Sequence, residues 1–240
     1  KFESSHGHQR SPSLTLKLNV FDTKLVQSDN NPWEPNQMTI HLHQYDIPKN
    51  LSVSDFIAID TETTGLDVKR DRLCLVQLSV GNGDAHLVHF PSPRYDAPRL
   101  KQLLADRTVV KLFHFARFDV AVLSERLNVW CTPIYCTKIA SKLVRTYTDR
   151  HSLKEICKDL LGLDLSKAQQ SSDWGAKILT TEQQKYAASD VCHLHQLREK
   201  LDLMLEREGR MDLAQECFSF LPTRVRLDLA GWGSEDIFTH

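Results

Sequence analysis

Two acidic side chains stand at the end of an apolar run in the first third of the chain. The run Phe-Ile-Ala-Ile at 56–59 leads into Asp60 and Glu62, which a single threonine separates. Such a run predicts a buried strand, and residues two apart on a strand point to the same face. Adjacent carboxylates repel each other, and burying them unpaired is costly. The pattern therefore predicts a divalent cation here; the alternative is a solvated turn that is acidic by chance.

Two further acidic positions occur later in the chain. Asp119 falls on the first turns of a predicted helix, just after a short apolar run at 109–113. Tyr186 and Asp190 are four residues apart on another predicted helix, so they share one face. A strand end, a helix start and a late helix can thus bring four carboxylates to one cavity, the oxygen-rich environment that Mg²⁺ or Mn²⁺ prefers. Two such ions about 3.5–4 Å apart can hold the attacking and leaving oxygens of a phosphoryl displacement.

The elements that must position these residues follow a mixed pattern. Strands are predicted near residues 39–43, 56–60, 73–80 and 85–90, and the Gly-Asn-Gly-Asp turn joins the last two as a hairpin. A helix around 100–104, a strand at 109–113 and a helix at 116–127 follow. After residue 135 the pattern is mostly helical, including a helix that Ser152 and Glu155 cap and Gly162 ends, and one from Thr181 to about Glu208. This order predicts an α/β single domain with helices packed on a central sheet.

The acidic positions resemble the three exonuclease motifs of the DEDD superfamily, in its tyrosine subtype. Lys185 stands where the histidine subtype would carry its histidine. The flanking segments Leu-Cys-Leu-Val-Gln-Leu at 73–78, Ser-Asp-Trp at 172–174 and Tyr-Ala-Ala at 186–188 resemble ribonuclease D. The resemblance covers about residues 55–200. It implies a DnaQ-like (ribonuclease H-like) exonuclease fold, with a central mixed sheet flanked by helices. The compact size and the tail at 226–238 resemble the small ribonuclease D relatives called nano-RNase C.

The resemblance implies a role for each matched acidic or phenolic residue. Two Mg²⁺ or Mn²⁺ ions would be held by four carboxylates, Asp60, Glu62, Asp119 and Asp190, with Asp60 bridging the ions. A bound water would become a nucleophile as its pKa falls from about 15.7 towards neutrality. Tyr186 would orient that water by a hydrogen bond, and it is not the main base because a free tyrosine has a pKa near 10.

Three residues match positions of the family that contact the substrate. Thr63 matches a residue that meets the terminal nucleotide, Leu66 matches a wedge between the last two bases, and His114 matches a residue at the rim of the site. Each has a structural alternative: turn chemistry for Thr63, core filling for Leu66, and a hydrogen-bonded core histidine for His114. These alternatives remain open at the level of sequence.

Two weaker signals lie between the second and third motifs. The most basic stretch of the chain comprises Lys138, Lys142, Arg145, Arg150, His151 and Lys154. It could hold substrate phosphates, face a neighbouring subunit, or form a solvated helix face. Trp174 could stack on a base, although its position favours a hydrophobic cap on the last motif helix.

Composition limits the classes of function. The 240 residues include 30 Lys and Arg against 31 Asp and Glu, a net charge of -1, so there is no sign of the broad basic surface that long nucleic acid requires. Six scattered cysteines show neither zinc spacing nor a disulfide framework, and the scattered histidines show no zinc spacing either. We therefore expect reduced thiols in a cytoplasmic protein. No apolar run approaches the roughly 20 residues needed to cross a membrane, and no membrane partner is expected.

The chain divides into three expected parts. Residues 1–37 are rich in Ser, Asn, Gln, Pro and His and are expected to be a vector-derived or otherwise non-native extension, with the native protein starting at Met38. The exonuclease domain is expected at 38–222. The apolar tail at 223–240 is expected to dock on this or another subunit, and the resemblance implies a homo-oligomer, an octamer.

The expected function is a two-metal 3′-5′ exoribonuclease that hydrolyses short RNA, in particular dinucleotides, to nucleoside 5′-monophosphates. One alternative is a general 3′-5′ exonuclease that acts on longer RNA or DNA. An alternative from another class is a non-catalytic nucleic-acid-binding module on an exonuclease fold. The complete set of four carboxylates and Tyr186 argues against the last.

Overall fold

A six-stranded mixed sheet forms the centre of the computed structural model, which describes residues 38–166 and 168–240. Its strands are β1 (Thr39–Gln44), β2 (Phe56–Thr63), β3 (Leu73–Ser79), β4 (Asp84–His89), β5 (Val110–Phe113) and β6 (Ile134–Cys136). They are ordered β1-β4-β3-β2-β5-β6, and β3 runs antiparallel to both of its neighbours while the other pairs are parallel. The predicted mixed sheet is therefore confirmed. The extension expected at 1–37 lies outside the described residues.

Seven helices flank this sheet within the described part of the chain. They are α1 (Pro98–Ala105), α2 (Ala116–Leu127), α3 (Thr137–Val144), α4 (Leu153–Leu161), α5 (Thr181–Cys192), α6 (Leu194–Arg207) and α7 (Met211–Leu227). A single π-helical turn, Asp228–Trp232, follows α7. Among the residues described, no helix combines the length and apolar character that crossing a bilayer would require.

The central strands are covered on both faces. All seven residues of β3 are buried, and so are Ile57, Ala58 and Ile59 of β2. Near-continuous apolar runs are typical of strands buried on both faces. All six cysteines are described and free, and only Cys217 is not fully buried, as expected for reduced core thiols. Asp60 and Glu62 thus project from a strand in the buried centre of the sheet.

Three details of the element order differ from the sequence-based prediction. The three-residue strand β6 was not predicted, because three residues are too few for alternation to register. The long helix expected after Thr181 breaks at His193 into α5 and α6. Helix α7 continues through Pro222 to Leu227, so the boundary expected between 222 and 223 falls inside a helix. The buried face of α7, which includes Phe218 and Val225, holds the helix together across the proline.

Side-chain caps fix the start of two helices near the site. Ser152 caps α4 as predicted, since its hydroxyl accepts a hydrogen bond from the Glu155 amide, and Gly162 ends the helix in the left-handed conformation. A reciprocal capping box is formed by Thr180 and Gln183 at the start of α5. Helix α5 carries Tyr186 and Asp190, so this cap fixes the register of the third motif.

Candidate active site

Strand β2 delivers the first two carboxylates. Asp60 and Glu62 project from the same face near its end, and both are half-buried. Across the strand pair, Asp60 lies opposite Gln77 of β3, and Gln77 Nε2 donates a hydrogen bond of 3.1 Å to Asp60 Oδ2. Gln77 is fully buried. The second strand therefore holds the Asp60 carboxylate in place.

Helix α2 delivers the third carboxylate from beneath. Asp119 lies in its first turn and is only 3% exposed. The hydroxyl of Thr61 donates a hydrogen bond of 2.7 Å to Asp119 Oδ1. Thr61 is the residue between Asp60 and Glu62, so it links the strand and helix motifs directly. The helix begins after Phe115, which adopts a left-handed conformation with φ of 71°, a costly conformation for a bulky residue.

Helix α5 delivers the fourth carboxylate and the phenol. Asp190 joins Asp60 and Glu62 in a cluster in which each residue offers an oxygen within 4.8 Å of the other two. Tyr186, one turn earlier, packs against Trp174 with the ring centroids 6.1 Å apart. Trp174 is buried, which agrees with the predicted hydrophobic cap on this helix.

Burial and mutual repulsion dominate the electrostatics of these carboxylates. Burial raises the pKa of Asp60 to about 7. Burial, together with the charges of the other three carboxylates, raises the pKa of Glu62 to about 10. Burial and the neighbouring Asp60 charge also raise the pKa values of Asp119 and Asp190 well above their usual range. The ionised form of these four carboxylates is therefore unfavourable without a counter-charge. A hard divalent cation binds oxygen donors and offsets the repulsion between them.

A cavity of about 620 Å³ opens above the carboxylates. Its lining includes seven of the eight residues predicted from the sequence, namely Asp60, Glu62, Thr63, Leu66, His114, Tyr186 and Asp190. Asp119, the eighth, lies beneath the lining and reaches it through Thr61. The tertiary fold thus gathers residues that are up to 130 positions apart in the sequence, from 60 to 190.

The three substrate-contact candidates differ in their surroundings. Leu66 is 83% exposed, which excludes the core-filling alternative. The Thr63 hydroxyl donates a hydrogen bond of 2.5 Å to the carbonyl of Gly65, so the turn alternative applies to it as well. His114 Nδ1 lies 2.9 Å from the Thr137 hydroxyl, and burial together with nearby positive charge lowers the pKa of His114 to about 3. His114 is therefore a neutral, anchored histidine at the cavity wall.

The structure divides the predicted basic stretch into buried and cavity-facing parts. Arg145 is fully buried, where it forms an ion pair with Asp159 and donates to the carbonyl of Arg150, so it is a structural residue. Lys138 and Lys154 line the cavity. The Lys138 ammonium also lies 4.3 Å from the centre of the Phe115 ring. Two lysines therefore line the same cavity as the carboxylates.

Three residues of the site were not identified from the sequence. The sequence could have indicated Gln77, because it is a polar side chain within a strand that is otherwise almost wholly apolar. For Thr61 the only indication was its position between two carboxylates. Phe115 is 46% exposed at the cavity wall, and no spacing rule distinguishes it from the buried Phe113 two positions earlier.

Comparison with known proteins assigns this arrangement to a family. The sequence profile described as a 3′-5′ exonuclease matches residues 43–206. A ribonuclease D from Gluconacetobacter diazotrophicus is 34% identical over 166 residues, which are 69% of this chain and 42% of that protein. The chain therefore spans less than half the length of the curated ribonucleases D that it matches.

Two solved structures match over their whole length. The Brucella melitensis NrnC bound to pGG is 53% identical, with a TM-score of 0.81, and the match covers 85% of this chain and 100% of that one. The Brucella melitensis NrnC with bound Mg²⁺ is 52% identical, with a TM-score of 0.80 and the same coverage. The fold and family expected from the motifs are thereby confirmed. The chain belongs to the ribonuclease D family of 3′-5′ exonucleases, and it is similar to the small member NrnC along the entire length of NrnC.

Proposed function

We propose that the chain is a metal-dependent 3′-5′ exoribonuclease that hydrolyses short RNA, dinucleotides included, to nucleoside 5′-monophosphates. The observation that carries this proposal is the cluster of four carboxylates from β2, α2 and α5 at the floor of a single cavity. A volume of about 620 Å³ is in the range of cavities that enclose a small ligand, and two nucleotides are of that size. The binding of pGG by NrnC supports the same choice.

Mg²⁺ or Mn²⁺ fits the donor set of the site. The ligands proposed for two ions are all carboxylates, Asp60, Glu62, Asp119 and Asp190. When bound, these ions supply a nucleophilic water at neutral pH and neutralise charge on the leaving oxygen. The Mg²⁺ bound by NrnC supports the choice of ion. Gln77 and Thr61 would orient Asp60 and Asp119 through the hydrogen bonds already described.

Tyr186 is proposed to position the attacking water. Burial and the negative charges of Asp190, Glu62 and Asp60 raise the pKa of Tyr186 above its usual value, so the phenol keeps its proton at neutral pH. It can therefore donate a hydrogen bond but does not act as the base. Packing against the buried Trp174 limits the rotation of the ring and so defines where the hydroxyl points.

The cavity wall offers separate contacts to the bases and to the phosphates. Leu66 and Phe115 are exposed apolar side chains that line the cavity, and both suit the faces of the two terminal bases. Lys138 and Lys154, which also line the cavity, suit the phosphates. Thr63 and His114 complete the pocket for the terminal nucleotide.

Substrate length and chemistry can be tested with three labelled substrates. A 5′-labelled ribodinucleotide, a ribo-heptamer and a DNA duplex are incubated with the protein and Mg²⁺, and initial rates are compared. We expect the dinucleotide to be turned over fastest, because the cavity volume is of the size of two nucleotides and the net charge of -1 gives no sign of the broad basic surface that longer nucleic acid requires. Equal rates on all three would favour the general exonuclease and refute the dinucleotide preference.

Catalysis by the carboxylates can be tested with a matched pair of substitutions. Asp60→Asn removes one charge from the cluster and should abolish turnover while leaving dinucleotide binding measurable by calorimetry. Asp55→Asn makes the same change at an exposed position just before β2 and should leave turnover intact. Full turnover in Asp60→Asn would refute the assignment, and absent turnover in the unaltered protein would favour a non-catalytic binding module.

A second proposal concerns the domain bounds and the assembly, and it is independent of the activity. We propose that the exonuclease domain extends from residue 38 through α7 and that the segment after α7 forms contacts between subunits. Its support is a run of exposed apolar side chains, with Phe238 77% exposed. Removing residues 233–240 leaves α7 intact and should reduce the molecular mass measured by light scattering. An equal mass with and without these residues would remove the argument for an oligomer built through the tail.

A further inference from the structure

A cluster of three histidines, His41, His43 and His86, lies on the face of the sheet opposite Asp60 and Glu62. Strand pairing places His41 of β1 beside His86 of β4, and His86 beside Leu78 of β3. Asp60 and Gln77 pair with each other and occupy the alternate face. Three strand spacings also separate β1 from β2, which corresponds to about 14 Å. The cluster is therefore distinct from the site described above.

Two of these histidines, His41 and His86, are arranged with Asp84 as a coordination shell. His41, Asp84 and His86 each offer a ligand atom within 4.8 Å of the other two. His41 Nε2 lies 3.3 Å from Asp84 Oδ2. Ligands at 2.0–2.2 Å from a tetrahedral ion are themselves about 3.3 Å apart, so this pair already has the required separation. All three residues are half-buried, at the boundary between core and solvent.

His43 supplies a supporting contact to the same cluster. Its Nε2 lies 3.0 Å from His86 Nδ1, and the two rings are nearly parallel, with their centroids 5.3 Å apart and an angle of 9° between their planes. When His86 Nδ1 carries the proton and donates the hydrogen bond to His43 Nε2, His86 Nε2 has a lone pair that is free to bind a metal. Metal-bound histidines are usually oriented in this way, by a partner on the other ring nitrogen.

The donor atoms of the two sites favour different ions. Imidazole nitrogens suit Zn²⁺ and its neighbours, whereas the all-oxygen carboxylate cluster suits Mg²⁺ or Mn²⁺.

We propose that His41, Asp84 and His86 bind a Zn²⁺ ion, with His43 as a positioning residue. The ion ties the edge strand β1 to β4 and leaves its fourth position to water. The spacing of the histidines in the sequence did not predict this site. These side chains are brought together by the register between two strands and do not form a short sequence motif. The inference is independent of the proposed nuclease activity.

Zinc binding is measured by isothermal titration calorimetry, in which Zn²⁺ is added to the full chain. The buffer contains excess Mg²⁺. The protein carries His6→Gln and His8→Gln, which remove the histidines of the N-terminal segment, and Asp60→Asn with Asp190→Asn, which silence the carboxylate cluster. We expect one Zn²⁺ per chain. A hundredfold excess of Zn²⁺ over its Kd should raise the thermal unfolding midpoint by about 5–10 °C.

Single substitutions in that protein locate the ion. His41→Gln and His86→Gln should each weaken Zn²⁺ binding more than about 100-fold, and His43→Gln about 10–100-fold, as is usual for an orienting partner. His240→Gln, a histidine at the exposed end of the chain, is the matched control and should bind as before. Circular dichroism and the zinc-free unfolding midpoint verify that each variant is folded.

Diffraction supplies a second readout that needs no substitution within the histidine cluster. Crystals of the same protein soaked in Zn²⁺ should show an anomalous peak at the zinc edge about 2.0–2.2 Å from atoms of His41, Asp84 and His86. Unchanged affinity in both His41→Gln and His86→Gln would overturn the proposal. A peak at other residues, or no peak in the cluster, would overturn it as well.

Discussion

The pKa of Glu62 gives a quantitative prediction about the metal-free protein. Burial and three neighbouring carboxylates raise this pKa from 4.5 to about 10. Between pH 6 and 8 the folded chain therefore keeps a proton on Glu62, while the unfolded chain has released it. A difference of one proton makes the free energy of unfolding fall by about 1.4 kcal/mol for each pH unit. This stability is complete below pH 4.5 and is lost progressively as the pH rises towards 10.

Glu62→Gln isolates this contribution from the other titrating groups. Glutamine is isosteric with the protonated acid, so the variant should resemble the folded state at neutral pH but lose the pH dependence that Glu62 causes. The pH slope of its unfolding free energy should differ from that of the unaltered protein by about 1.4 kcal/mol per pH unit, which amounts to about 2.7 kcal/mol between pH 6 and pH 8. This corresponds to a change of about 1 M in the urea midpoint. The buried histidines affect both proteins equally and cancel in the comparison.

The assay is urea unfolding in EDTA at pH 6, 7 and 8, followed by circular dichroism. Glu216→Gln, an exposed position on α7, is the control and should keep the original slope. Saturating Mg²⁺ should abolish the Glu62-dependent slope, because a cation takes the place of the proton. Parallel pH profiles for Glu62→Gln and the unaltered protein in EDTA would show that Glu62 is already ionised, and the electrostatic description of the site would be wrong.

Three further predictions concern single side chains. Thr61→Val removes the hydrogen bond to Asp119 and should raise the Mg²⁺ concentration for half-maximal turnover about tenfold, since a hydrogen bond to a charged group contributes about 1.5–3 kcal/mol. Thr39→Val, at an exposed strand position, is the control. The same Mg²⁺ requirement in Thr61→Val and the unaltered protein would show that Thr61 does not orient Asp119. Leu66→Ala should raise the KM for a dinucleotide about tenfold, from the loss of about two buried methylene groups. Its unfolding midpoint should not change, because Leu66 is exposed; an unchanged KM would exclude the wedge. Arg117→Gln removes the ion pair from α2 to Asp228 in the tail and should lower the unfolding free energy by about 1–3 kcal/mol. Unchanged stability would show that this contact is only a solvated surface pair.

Local sequence was sufficient where one strong signal specified an element. The apolar run before Asp60 predicted β2, and alternation at 73–80 predicted β3, because both are governed by side-chain burial along a single strand. The same rules did not detect β6, which is only three residues long. They also did not detect the break at His193, where both α5 and α6 satisfy helical periodicity and only packing on the sheet distinguishes them. The exonuclease domain was expected to end at Pro222, yet α7 continues through this proline because the burial of its apolar face outweighs the lost hydrogen bond.

The sequence alone determined the chemistry of this protein. The residue types and spacing of Asp60, Glu62, Asp119 and the Tyr186–Asp190 pair were enough to predict an acidic metal site and its family, because these residues act through functional groups that no other side chains supply. The tertiary structure decided which neighbours control those groups. Gln77 reaches Asp60 only because two strands pair in one register, and Leu66 is a candidate wedge only because the turn after β2 leaves it exposed. The histidine cluster on the opposite face arises in the same way, since strand register places side chains together that are distant in the chain.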